Sequence, residues 1–145
     1  LQDNQAHAPF GWSHCLTMPQ ATLNTAHRLP DPERSIAVAA TYVCGFRATL
    51  STTAIDPAWE PEPVGAGLTL ANATAAQAAG LLWHATTERA RLVQELIDFA
   101  GAAEDTHLAK YTEACLTAAR DDPGAAPLFH AAMAYLATWW IRSGR

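Results

Sequence analysis

The chain has 145 residues, half of them hydrophobic, and a net charge of −5. That length suggests one domain with a sizeable core. No Lys/Arg cluster exists to attract nucleic acid, and no apolar run approaches the ~20 residues of a membrane span. Alanine, the best helix former, dominates the apolar fraction. The expected fold is therefore all-α, about five helices in orthogonal or bundle-like packing with one long Pro/Gly-rich loop. Cys15, Cys44 and Cys115 are odd in number and far apart, without a CxxC. They read as buried, reduced thiols of a cytoplasmic protein rather than a disulfide framework or zinc knuckle.

The opening, Leu1-Gln2-Asp3, carries no methionine. The expectation is a single helical domain over residues 1–145 that forms the C-terminal part of a longer protein. Residues 1–7 read as a loose lead-in. Residues 8–16 read as a Gly/Pro-marked loop that gathers Phe10, Trp12, His14 and Cys15. Thr17, Pro19 and Gln20 then look like a helix start, with Thr17 as N-cap, and this first helix should end near residue 28. Asp31-Pro32-Glu33 opens a second helix over residues 32 to about 50. Ile36, Ala40, Val43 and Arg47 share its stripe, with Ala39, Tyr42 and Phe46 beside it. Gly45 there predicts close approach of another helix.

Residues 51–70 form a long connection with Pro57, Pro61, Pro63, Gly65 and Gly67. Loops of this length in compact domains are uncommon unless functional or disordered, and Trp59 within it predicts a segment pinned to the body. Residues 73–100 read as one long helix capped by Asn72 or Thr74, with Leu81, Ala85, Leu92, Leu96 and Phe99 inward and Gly101 as C-cap. Glu88, Arg91 and Glu95 pair along its polar side. A fourth helix is predicted over about 104–120. Asp121-Asp122-Pro123-Gly124 makes a turn, and a fifth helix follows over about 125–141. Its predicted face is Leu128, Ala132, Tyr135, Leu136 and Trp139.

Candidate chemistry rests on histidines, whose imidazoles serve as acid, base or ligand near neutral pH. His84, His107 and His130 sit on helices, where the plainer role is a hydrogen-bonded packing residue. His107 stands out because Tyr111 lies at i+4 on the same face, so the two could hold one polar ligand group. His14 is read as lying just before a helix N-terminus, where backbone N–H groups and the dipole favour an oxyanion. Cys15 beside it lacks a Cys–His–acid pattern and is not read as a nucleophile. A metal site has little support. Glu104-x-x-His107 is a single copy of a motif that di-iron bundles use twice, and in His84/Glu88 the glutamate has Arg91 to pair with, so no metal ligand is assigned. No dinucleotide or Walker pattern occurs. Five tryptophans are many for this length; they read as core filling or as walls of a wide pocket for a flat ligand.

Gly11-Trp12-Ser13-His14-Cys15-Leu16-Thr17-Met18-Pro19-Gln20-Ala21, then His107-Leu108-Ala109-Lys110-Tyr111-Thr112 and Ala137-Thr138-Trp139-Trp140, resemble the C-terminal part of the questin oxidase-like family. The resemblance would cover most of this chain but only the last third or so of a typical member. It implies an oxidoreductase of secondary metabolism, a monooxygenase performing Baeyer–Villiger-type oxygenation of a planar aromatic polyketide with NADPH and no evident flavin motif. On that reading His14 stabilises or protonates the reacting oxygen and His107, aided by Tyr111, is the base, while Trp12, Trp83, His84 and Trp139 contact the substrate. The partners implied are a small aromatic molecule and the remainder of the protein. Two other readings stay open: a non-catalytic helical module for ligand binding or subunit interaction, and a metal-dependent helical-bundle oxygenase.

Overall fold

The computed structural model describes residues 1–2, 10–50 and 53–143, without the side chain of Phe10. Every regular element among them is helical: α1 (Phe10–Ala26), α2 (Pro32–Leu50), α3 (Ala75–His84), α4 (Arg89–Ala102), α5 (Thr106–Asp121) and α6 (Ala126–Arg142), with a 3-10 turn at Pro123–Ala125. The all-α expectation holds, with six helices in place of about five. The described residues fall into two compact units. One holds residues 10–50 and 53–55; the other holds residues 1–2 and 56–143.

The first unit is a hairpin of α1 on α2. α1 corrects the predicted loop, because Gly11 to Leu16 are already helical, Thr17 is a buried mid-helix residue, and Pro19 lies inside the helix. Pro19 forfeits one main-chain bond, yet contacts with α2 hold the first turns. The Arg47 guanidinium lies 5.2 Å from the Trp12 ring centroid. His14 meets Phe46 edge-on at 5.8 Å, and Gly11 sits against the Leu50 side chain. Ala8 and Pro9 of the predicted loop, and residues 3–7 of the lead-in, lie outside the described residues. α2 has the predicted bounds, but its inward face is rotated. Ala39 is buried and Tyr42 stacks on Phe46 at 5.2 Å, whereas Ile36 is 43% exposed. Gly45 has open space around it rather than a close neighbour.

The second unit is built around α6, which packs on α3 and α5, with α4 against both α5 and α6. Its interface residues are small: Ala131, Ala134 and Ala137 of α6 are fully buried, as is Ala78 of α3. Backbones can therefore approach closely, with Leu82, Leu108 and Met133 filling the space between. Each such side chain stabilises the fold by about 1.5–3 kcal/mol through removal from water. The predicted inward face of α6 is corrected. Leu128 is 41% exposed, and Trp140 is buried while Trp139 is half-buried, their rings meeting edge-on at 5.9 Å.

The predicted long helix over 73–100 is two helices. Thr74 caps α3 with a complete capping box to Gln77, but the chain turns extended at Ala85. Arg89, opening α4, donates from Nη2 to the Trp83 carbonyl at 3.1 Å, satisfying one of the open acceptors at the end of α3. α4 then runs through Gly101 and ends at Ala103, so Gly101 is not the C-cap. Arg91 bridges Glu88 and Glu95, each at 3.1 Å, as the spacing predicts. Asp105 and Asp122 cap the next two elements through their side chains.

Candidate functional site

Residues 53–74 carry no regular element among them, yet part of this segment is pinned to α3. The His84 ring donates from Nε2 to the Pro61 carbonyl at 2.8 Å, which makes Nε2 the protonated nitrogen, and Pro61 is buried. The Glu62 carbonyl and Val64 lie against Gly80, where a β-carbon would collide with both. Gly67 turns the chain at φ 85°, a region open to glycine and strained for other residues. At its start the segment is tied by a two-way bond. Asp56 N donates to Gln2 Oε1 and Gln2 Nε2 donates to the Asp56 carbonyl, both at 2.8 Å.

This path encloses a pocket of about 620 Å³. Trp59, Pro61, Pro63, Val64 and Leu68 wall it from the loop side, and Ala76, Ala79 and Tyr135 from the helices. Cavities of ~300–1,000 Å³ with mostly apolar walls and a few polar groups are the usual form of a small-molecule site. Ala76 and Ala79 contribute little bulk, which leaves the volume open. Trp59 and Tyr135 are its aromatic residues, and Glu62 is the one acidic residue in the lining, which holds no Lys, Arg or His.

His14, His107, Tyr111, Trp12, Trp83, His84 and Trp139, the residues assigned to a site from the sequence, do not line this pocket, whereas Trp59, one of the five tryptophans read as core or pocket walls, does. His84 supports it from behind through Pro61. Trp83 supplies the carbonyl that Arg89 caps, and Trp139 packs against Trp140. Trp12 and His14 are packing residues of the α1–α2 hairpin. His14 lies within α1, so the expected placement before a helix N-terminus is overturned. His107 belongs to the other unit. It sits in the first turn of α5, its side chain 63% exposed, with Nδ1 on the Asp105 cap carboxylate at 2.9 Å. Tyr111, one turn on, hydrogen-bonds toward Cys115. The two members of the His107/Tyr111 pair are thus engaged with different neighbours.

Burial pushes the Cys115 thiol up to about 12 despite the Tyr111 hydrogen bond. Burial also raises Cys15, and the nearby Arg47 charge offsets part of that rise. Both shifts oppose thiolate formation at neutral pH. The expectation of three buried thiols holds for Cys115 alone, since Cys15 is half-buried and Cys44 lies on an exposed position of α2. His130 is shifted down, first by burial and second by the Arg89 charge. Among the described residues no group of three or more His, Cys, Asp or Glu is arranged to hold a metal ion. No described helix is long and apolar enough to cross a membrane.

Sequence reasoning flagged Trp59 as pinned and the loop as unusually long. It did not select Tyr135 over Trp139, because helical periodicity alone cannot say which aromatic faces a loop. No family model, curated protein or solved structure matches the chain.

Proposed function

We propose that the chain is a helical ligand-binding module whose pocket takes a planar, largely apolar small molecule. The observation that carries this reading is the 620 Å³ pocket with Trp59 and Tyr135 in its walls. Stacking on such rings and burial of an apolar face both favour a flat aromatic ligand. Calorimetric titration with a hydroxylated anthraquinone or with acridine tests it. Saturable one-to-one binding is expected, weakened about tenfold or more in Trp59→Ala, which corresponds to ~1.4 kcal/mol. Trp12→Ala, in the hairpin, leaves the affinity unchanged. Non-saturable binding, or equal loss in both variants, overturns the reading.

The questin oxidase-like resemblance implies a chemical step, oxygenation of a planar polyketide, which is a reading separate from binding in this pocket. It calls for an acid–base pair, and His14 and His107 are the candidates the resemblance offers. Incubation with a hydroxylated anthraquinone, NADPH and dioxygen tests this step by the mass gain of one oxygen atom in the product. If His14 and His107 do acid–base work, alanine at either cuts turnover by about 10²–10⁴. Wild-type turnover in both variants removes those assignments, and no product at all leaves the binding module alone.

A further inference from the structure

The charge pattern around the pocket is one-sided. From residue 48 to residue 88 the chain carries Asp56, Glu60, Glu62 and Glu88 and no Lys or Arg. Glu62 contributes to the lining itself. Two arginines bonded at the ends of α3 are already committed. Arg142 donates from Nε to the Ala73 carbonyl at 2.7 Å and from Nη2 to the Asn72 carbonyl at 2.9 Å. Arg89 caps Trp83. Neither belongs to the lining.

Aromatic faces carry negative quadrupole density and attract cations placed over them. Trp59 and Tyr135 therefore act in the same direction as the Glu62 carboxylate. A planar anion entering this pocket would meet two aromatic residues and an acidic residue, and the lining holds no Lys, Arg or His to offset them. A planar cation gains from all three.

Resting on the ligand-binding reading above, we propose that the Trp59–Tyr135 pocket selects planar aromatic cations, such as N-alkylated or protonated heteroaromatics, with Glu62 setting the charge preference. The attraction is partly exposed to solvent, so it is of modest size and weakens with salt.

The test uses three tricycles of similar shape and different charge at mildly alkaline pH: N-methylacridinium, acridine in its neutral form, and anthracene-2-carboxylate. Titration into the full chain should rank them cation first, neutral second and anion last. The cation should lead the neutral probe by about three- to tenfold at low salt, and the gap should narrow in concentrated salt. Glu62→Gln should remove most of the cation's advantage over acridine, and wild-type circular dichroism and thermal midpoint in that variant show that it still folds. Equal affinities, an anion bound most tightly, or an unchanged ranking in Glu62→Gln overturns the charge preference and leaves the pocket reading standing. Failure of all three probes to bind overturns the pocket reading, and the charge preference with it.

Discussion

The Glu62 carbonyl oxygen occupies the space that a side chain at Gly80 would need. This contact lets the loop wall of the pocket lie directly on α3. Alanine at an ordinary helical glycine adds about 0.5–1 kcal/mol of stability. At Gly80 it must instead push out backbone. We predict that Gly80→Ala keeps the helical circular dichroism of the wild type but loses about tenfold or more in planar-probe affinity, ~1.4 kcal/mol. Wild-type affinity in this variant would place the binding surface elsewhere.

Arg142 and Thr74 hold the same end of α3. Arg142 donates to the Ala73 and Asn72 carbonyls just ahead of the helix, and the Thr74 side chain accepts from Gln77 N within the capping box. Arg142→Gln is expected to lower unfolding free energy by about 1–2 kcal/mol and Thr74→Ala by ~1 kcal/mol. Urea midpoints at constant m-value measure both. Because the two act on one helix end, the double variant should deviate from additivity.

His130 predicts a pH response. Its folded-state pKa lies below the usual value because of burial and the Arg89 charge. Its neutral form is therefore the one compatible with the fold. The contribution to stability is complete above the unfolded-state pKa of ~6.5 and is lost as pH falls through that value toward the folded one. Thermal unfolding midpoints should drop between neutral and mildly acidic pH, and His130→Gln should flatten that dependence. An equal drop in the variant would assign the effect to other groups.

The three cysteines should separate cleanly in thiol labelling. Cys44 is exposed, Cys15 half-buried and Cys115 fully buried with its thiol pushed up to about 12. A thiolate-directed reagent at neutral pH is expected to modify Cys44 first and Cys115 only at the rate of global unfolding. Early labelling of Cys115 would mean that α5 opens locally.

Helices whose ends are written in local chemistry were legible. Asp31-Pro32 opens α2 and Asp122-Pro123 sets the turn before α6, whereas Asp105, expected inside the first turn of its helix, proves to be the cap of α5. The failures were tertiary. Gly11 reads as loop and Pro19 as a first-turn proline after a Thr17 cap, but the Trp12–Arg47 and His14–Phe46 contacts with α2 favour helix that begins earlier and continues through both. The break between α3 and α4 falls in Ala85-Thr86-Thr87-Glu88, which holds no glycine or proline. His84 on Pro61 and Arg89 on Trp83 brace its two sides, and neither bond has a local signature. The pocket was half visible. Trp59 and the loop length mark a pinned, unusually long segment without placing a pocket there, and Tyr135 and Gly80 gain their roles only from where α3 lies against α6 and the loop.

The bonds from Arg142 back to residues 73 and 72 span 69 and 70 positions of sequence. α5 and α6, by contrast, are joined through a three-residue turn. Contacts that close long stretches of chain form late, because their entropy cost precedes their reward. Folding should therefore pair α5 with α6 first and seat α3 afterwards. Pulse-labelling hydrogen exchange would show this as α5 amides protected ahead of those in α3. Ala76 and Ala79 of α3 are part of the cavity wall, so the cavity would be finished only once α3 is seated on α6, and a ligand would enter after the α5–α6 pair has formed rather than guide its formation.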